Sequence, residues 1–254
     1  SAYEKATEAI IQEQPSIISC SAELSKYANS TDYARTYQQV KKCQALIKSS
    51  INKIKSVDGS SDKEYAALLQ DYQNLDYYYE GMAILLELET NQNISRDMRI
   101  EKMNSASNQL DLALKGISEL RQTYPSTKFY TQNYGTNYGR EALNKLEEDI
   151  IVTQSYLKDS LSILSRQKSP VIYVDTLPYG VDSVYLKAID DAIDYWEAKD
   201  NISFKKVPSE TDANVRIQWV KEFGGEHLGY ALGGQFAEIG LGDSLCLEKW
   251  KPYS

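Results

Sequence analysis

Up to about Lys168, apolar side chains recur at every third or fourth position, the spacing of one face of an α-helix. Val40, Cys43, Ile47, Ile51 and Ile54 form one such stripe, and Tyr65, Leu68, Leu69, Tyr72, Leu75, Tyr79 and Met82 form the next. Met103, Ala106, Leu110, Leu114, Ile117 and Leu120 form a third, stopped near Pro125, and Leu143, Leu146, Ile150, Leu157, Leu161 and Leu164 form the last. Ahead of these, a helix from Tyr3 to about Tyr27 should kink or restart at Pro15, which has no backbone N–H and crowds the preceding turn. Ser61 and Glu64 have the spacing of a capping box and predict a helix start there. These stretches are longer than a mean globular helix and show no tetratricopeptide period, so they predict an antiparallel helical bundle over residues 1–168. The segment "FYTQNYGTNYGRE" reads as an ordered loop or surface between the last two helices. Tyr77, Tyr78 and Tyr79 would point in three directions from a helix, so they read as core and rim packing rather than a sugar-binding platform.

The pattern changes after Ser169. "PVIYVDTLP" is a short β-branched strand ended by a proline turn. Tyr185, Ala188, Ile189, Ala192, Ile193 and Trp196 then mark one face of a helix. "ISFKKV" and "ANVRIQWV" read as strands, "GGEHLGYALGG" as a glycine-bounded loop holding a short strand, and "QFAEIGLGD" as the last strand. The order β-α-β-β-β-β implies a mixed sheet with one helix packed on it. The expected fold class is therefore α plus α/β in two domains, 1–168 and 169–254, joined at "SRQKSP". Charge shifts at the same place. From Ser169 onward, 8 Lys/Arg face 14 Asp/Glu, whereas the bundle carries 20 against 22.

The whole chain of 254 residues has a net charge of −8 and no basic stripe, which argues against nucleic acid as a partner. No apolar run approaches the length of a membrane span. Ser1 in place of a methionine is read as a trimmed N-terminus, upstream of which a signal peptide fits. Cys20 and Cys43 lie on facing helix stripes, although the simplest register leaves them about a turn apart. A disulfide and two buried thiols both remain open. Cys246 is the odd third cysteine. Asn29, Asn93 and Asn201 begin N-x-S/T sequons, which fit a secreted or cell-surface protein.

The strand "VIYVD", the helix "AIDDAIDYW", "ISFKKV" and "DANVRIQWV", taken in that order, resemble the N-terminal subdomain of matrixin-like metzincin zinc metallopeptidases. "GGEHLGYAL" resembles that family's glycine-rich loop and edge strand, and "IGLGDSLCLEKW" the strand and acidic turn after it. The resemblance covers Pro170 to Ser254, about a third of the chain, with Trp196, Trp219 and Trp250 in the expected places. It implies a secreted zinc-dependent endopeptidase acting on extended peptide or protein. The family's active-site helix, H-E-x-x-H-x-x-G-x-x-H, would supply three zinc ligands and a general base. This chain contains one histidine, His227, so that set cannot be built from it. Zinc ligands beyond Ser254 are the favoured expectation, with a metzincin-like subdomain incomplete at its C-terminus. A noncatalytic peptide- or protein-binding protein with a degenerate protease-like domain is the alternative.

The resemblance also places an edge strand at Leu228 to Leu232, whose backbone at Gly229, Tyr230 and Ala231 would pair with substrate. An edge strand merely blunted by glycines is the competing reading. His227, with only Glu226 and Glu222 nearby, reads as a hydrogen-bonded or solvated loop histidine rather than a ligand of a structural zinc. Calcium is a further candidate at Asp243, Glu248 or Asp175, but it prefers six to eight oxygens, and turn formation explains these acids better. Asp190 and Asp191 belong on a solvated helix face.

Overall fold

The computed structural model describes residues 1–59, 61–91, 93–199, 202–220, 229–232 and 236–241. Among the described residues the protein is α+β, mostly helical, with a small mixed sheet of five strands. It divides into two units, Ser1–Asp159 and Ser160–Ser254.

The first unit opens with α1 (Ala2–Ile10) and α2 (Gln14–Ser25). Pro15 does interrupt the first stripe: it stands in the opening turn of α2, where a backbone N–H would lack a partner anyway. Four long helices follow, α3 (Tyr33–Lys55), α4 (Lys63–Thr90), α5 (Arg96–Thr123) and α7 (Asn137–Lys168), with the short α6 (Lys128–Tyr134) preceding the last. The continuous α7 passes through the division between the units. Cross-helix hydrogen bonds show the antiparallel register. Gln44 donates to Asp76 at 3.0 Å between α3 and α4, and Lys102 donates to Glu87 at 3.0 Å between α4 and α5. Ser107 bonds Gln154 at 2.8 Å, and Arg121 bonds Asn144 at 2.7 Å, between α5 and α7.

The central element is α4. Its large apolar residues predict one buried face, but the structure also buries Ala67, Asn74, Gly81, Ala83, Leu86 and Leu88. Ala67, Asn74 and Gly81, spaced by seven residues and ending at Leu88, make the second face, and a search for large apolar stripes passes over it. A Cβ on Gly81 would lie 2.9 Å from Leu110, and one on Gly116 would lie 1.7 Å from Asn74 Oδ1. The two helices approach closely only because both positions are glycine. Asn74, buried at this contact, accepts from Gln70 at 2.8 Å, while its Nδ2 finds no acceptor among the described residues.

Two local expectations need correction. The start of α4 is capped by Asp62, not by the Ser61/Glu64 box: Asp62 accepts from the amides of Glu64 at 2.9 Å and Tyr65 at 3.3 Å. Glu64 instead accepts from the amides of Lys128 at 2.7 Å and Phe129 at 2.8 Å, the first two of α6. A carboxylate there is favoured by the partial positive charge of a helix N-terminus. The segment "FYTQNYGTNYGRE", expected as loop or surface, is therefore mostly helical. Phe129 is buried and meets Tyr3 and Tyr134 edge to face at 6.5 Å and 6.3 Å. Tyr79 is buried and Tyr78 packs against the core, so this part of the tyrosine run serves packing.

Cys20 and Cys43 form a disulfide between α2 and α3, with Cα atoms 5.6 Å apart. This settles the pairing that the helix stripes left open. Gln39 Nε2 reinforces it by donating to the Cys20 carbonyl at 3.2 Å.

In the second unit, β1 (Val171–Val174), α8 (Val184–Lys199), β2 (Lys205–Lys206), β3 (Val215–Val220), β4 (Gly229–Leu232) and β5 (Phe236–Gly240) follow in sequence. The sheet order is β2-β1-β3-β5-β4; β4 alone runs antiparallel to its neighbour. "ISFKKV" contributes only two strand residues. Tyr185 packs edge to face on Trp219 at 6.4 Å, and Ile189 is buried. The predicted α8 stripe is only partly used: Ala188, Ala192 and Trp196 stay exposed, because the helix meets the sheet along the side centred on Ile189 and Ile193.

Candidate functional site

The border strand β4 contains all three residues expected to offer backbone to a peptide, Gly229, Tyr230 and Ala231. It pairs through Gly229–Ile239, Tyr230–Glu238, Ala231–Ala237 and Leu232–Phe236. Among the described residues β5 is its only strand neighbour, and no described strand pairs with the other edge of β4. Such an edge presents N–H and C=O groups at the spacing an added strand requires. Positions 229 and 231 align with Ile239 and Ala237, which align in turn with Trp219 and Ile217 of β3. By the two-residue period of a pleated strand, these positions belong to the sheet face that carries Trp219 against α8. Ala231 and Leu232 are exposed.

The end of β1 holds the sheet's best-connected charge cluster. Asp175 accepts from Arg216 Nε at 2.8 Å and Nη2 at 3.0 Å, a bidentate pair. Arg216 Nη1 also donates to Glu210. The Asp175 backbone is fixed on both sides: its N–H donates to Ile217 O at 2.9 Å and its carbonyl accepts from Trp219 Nε1 at 2.7 Å. The hydrogen bonds that Arg216 donates to Asp175, with desolvation of the guanidinium opposing them, raise the Arg216 pKa further. Both Asp175 oxygens thus face a guanidinium, and the chemistry the pair performs is to lock β1 to β3 and aim Trp219. Asp190 pairs with Lys206, and Asp191 with Lys187 at 2.6 Å, on the exposed side of α8. His227, Glu222, Glu226, Asp243, Cys246 and Glu248 lie outside the described residues.

One titratable site in the bundle escaped the sequence reading. Burial raises the Asp71 carboxyl to about 6, against the opposing hydrogen bond from Tyr134 Oη. Burial, reinforced by Asp71, pushes the Tyr134 phenol upward as well. Asp71 stands beside Tyr72 in an apolar helix, a signal visible in sequence; its partner was hidden in a segment expected to be loop.

Among the described residues no group of three His, Cys, Asp or Glu side chains could hold a metal ion, and no helix is long and apolar enough to cross a membrane. The donor set of these 254 residues does not fit a three-histidine zinc centre: there is one histidine, and two of the three cysteines are in the disulfide. No protein-family model, curated protein or solved structure matches the chain.

Proposed function

We propose that this chain supplies the helical domain and the substrate-pairing sheet of a matrixin-like zinc endopeptidase, secreted or at the cell surface, whose zinc-binding helix is encoded beyond Ser254. The observation that carries the reading is the border strand β4, antiparallel to β5 and without a second strand neighbour among the described residues. An extended peptide adds to such an edge through main-chain hydrogen bonds, so affinity depends on N–H groups more than on side chains. The strand–helix–strand order through Trp219 and the border-strand position of Gly229, Tyr230 and Ala231 support the same reading. Zinc is the cofactor it requires, with a three-histidine ligand set that these residues do not contain. Of the calcium candidates, Asp175 is taken up by Arg216, and Asp243 and Glu248 lie outside the described residues.

The test is a peptide-library cleavage assay on the full reading frame, with and without a chelator. Chelator-sensitive cleavage supports the protease, and an intact library with zinc supplied overturns it. The single histidine favours a second reading, in which the same edge binds peptides without cutting them. There, Ala231→Pro, which removes one backbone donor, should weaken peptide binding at least tenfold with little change in melting temperature. Unchanged binding removes strand addition from both readings.

A further inference from the structure

We propose that Asn29 and Asn93 are N-glycosylated, giving the bundle two glycans at one end. Asn29 begins Asn-Ser-Thr in the turn between α2 and α3, and Asn93 begins Asn-Ile-Ser in the connection between α4 and α5. The hairpins α3–α4 and α4–α5 reverse direction twice, which brings these two connections to the same end of the bundle. Both asparagines are exposed. Neither carboxamide makes a hydrogen bond among the described residues; the local bonds use the backbone, as in Ser30 N to Tyr27 O at 2.9 Å and Asn93 N to Asn91 Oδ1 at 3.3 Å. A bulky polar group attached to either Nδ2 would displace no packed atom. Asn201, the third sequon, lies outside the described residues.

A separate observation places the protein where the reaction occurs. The Cys20–Cys43 bridge requires an oxidising compartment to form and persist. In the transfer, the asparagine Nδ2 forms a bond to the anomeric carbon of an oligosaccharide. The bond from that carbon to the phosphate oxygen of a polyprenyl-linked donor breaks, the lipid phosphate leaves, and the amide gives up one proton. No oxidant is consumed. The proposal rests on the secretory placement above and is independent of peptide binding at β4.

The experiment is glycopeptide mass spectrometry on the protein isolated from the cells that make it, with the redox state of Cys20 and Cys43 read in the same digest. Enzymatic release in heavy-oxygen water should convert both asparagines to labelled aspartate. Asn29→Gln and Asn93→Gln should each remove one glycan step on a denaturing gel while leaving the circular dichroism unchanged. An unmodified peptide at either position overturns the proposal there. If Cys20–Cys43 is oxidised in that sample, the compartment stands and only the glycosylation fails. If the pair is reduced, both fail.

Discussion

In the bundle, Ile10, Ile47, Ile54, Leu110, Ile117 and Leu120 are fully buried, whereas all six residues of β3, in the middle of the sheet, are only half-buried. Among the described side chains of α8, Ile189 alone is buried, and Val184, Ala188, Ala192, Tyr195 and Trp196 are exposed. The difference lies in how many neighbours each central element has. The α4 helix meets α3 on one side and α5 on the other, so even Ala67, Gly81 and Ala83 are interior. Among the described residues of its own unit the sheet packs against α8, and backbone pairing with Asp175–Arg216 and Trp219 does relatively more of the work of holding it. The bundle is therefore held mainly by packing and the sheet mainly by hydrogen bonds. All three tryptophans lie at positions 196, 219 and 250, so tryptophan fluorescence reports the sheet unit. Far-UV circular dichroism is dominated by the bundle helices.

The strongest way to break the bundle is Leu110→Ala. It empties the contact with Gly81 and should destabilise by about 4 kcal/mol, seen as an earlier circular-dichroism transition in urea. A shift confined to tryptophan fluorescence would contradict the packing described. Removing the disulfide with C20A/C43A should cost about 3 kcal/mol, because it frees a loop of this size in the unfolded chain. An unchanged urea midpoint would mean the bridge is not formed in solution.

Asp71 sharpens the comparison in the opposite direction. Its folded pKa, about 6, lies above the ordinary value of 3.8, so the folded state holds its proton more tightly than the unfolded one does. The group opposes folding fully above pH 6, and the penalty fades as pH falls toward 4. Asp71→Asn should accordingly stabilise the bundle by about 2 kcal/mol at pH 7 and by almost nothing near pH 4. Equal effects of the substitution at both pH values would remove the buried-carboxyl account. The smallest effect belongs to the sheet. Trp219→Phe keeps the ring against Tyr185 but loses the 2.7 Å bond to the Asp175 carbonyl, and should cost about 1 kcal/mol. Because it removes one emitter, it is best measured by thermal melts at several wavelengths.

Much of the bundle was legible because three- and four-residue periodicity in long helices survives local noise. Val40, Cys43, Ile47, Ile51 and Ile54 are all buried on α3, as their stripe implies. The helicity of α6 was missed although Thr127 caps it locally by accepting from the Tyr130 amide; what the sequence could not give is the second cap, Glu64, whose carboxylate comes from 64 residues earlier to meet the Lys128 amide. In the sheet, "VIYV" and "VRIQWV" were readable as strands, but the two-residue β2 was overextended. The candidate residues Gly229, Tyr230 and Ala231 could be placed on a strand from glycine punctuation and the family resemblance. Their edge position was expected from the resemblance alone; the pairing puts β4 last in the strand order among the described residues.

Sequence by itself determined the helix stripes, the break at Pro15, the change from helical to alternating pattern after Ser169, and the lack of enough histidines for a three-histidine zinc site. These are local or compositional properties, readable without knowing what packs against what. Tertiary structure alone decided that α4 is buried on two faces, that Glu64 serves α6 rather than its own helix, that Cys20 meets Cys43, and that β4 pairs with β5 rather than with β3. Each of these depends on a register between segments distant in sequence, which periodicity along the chain does not specify.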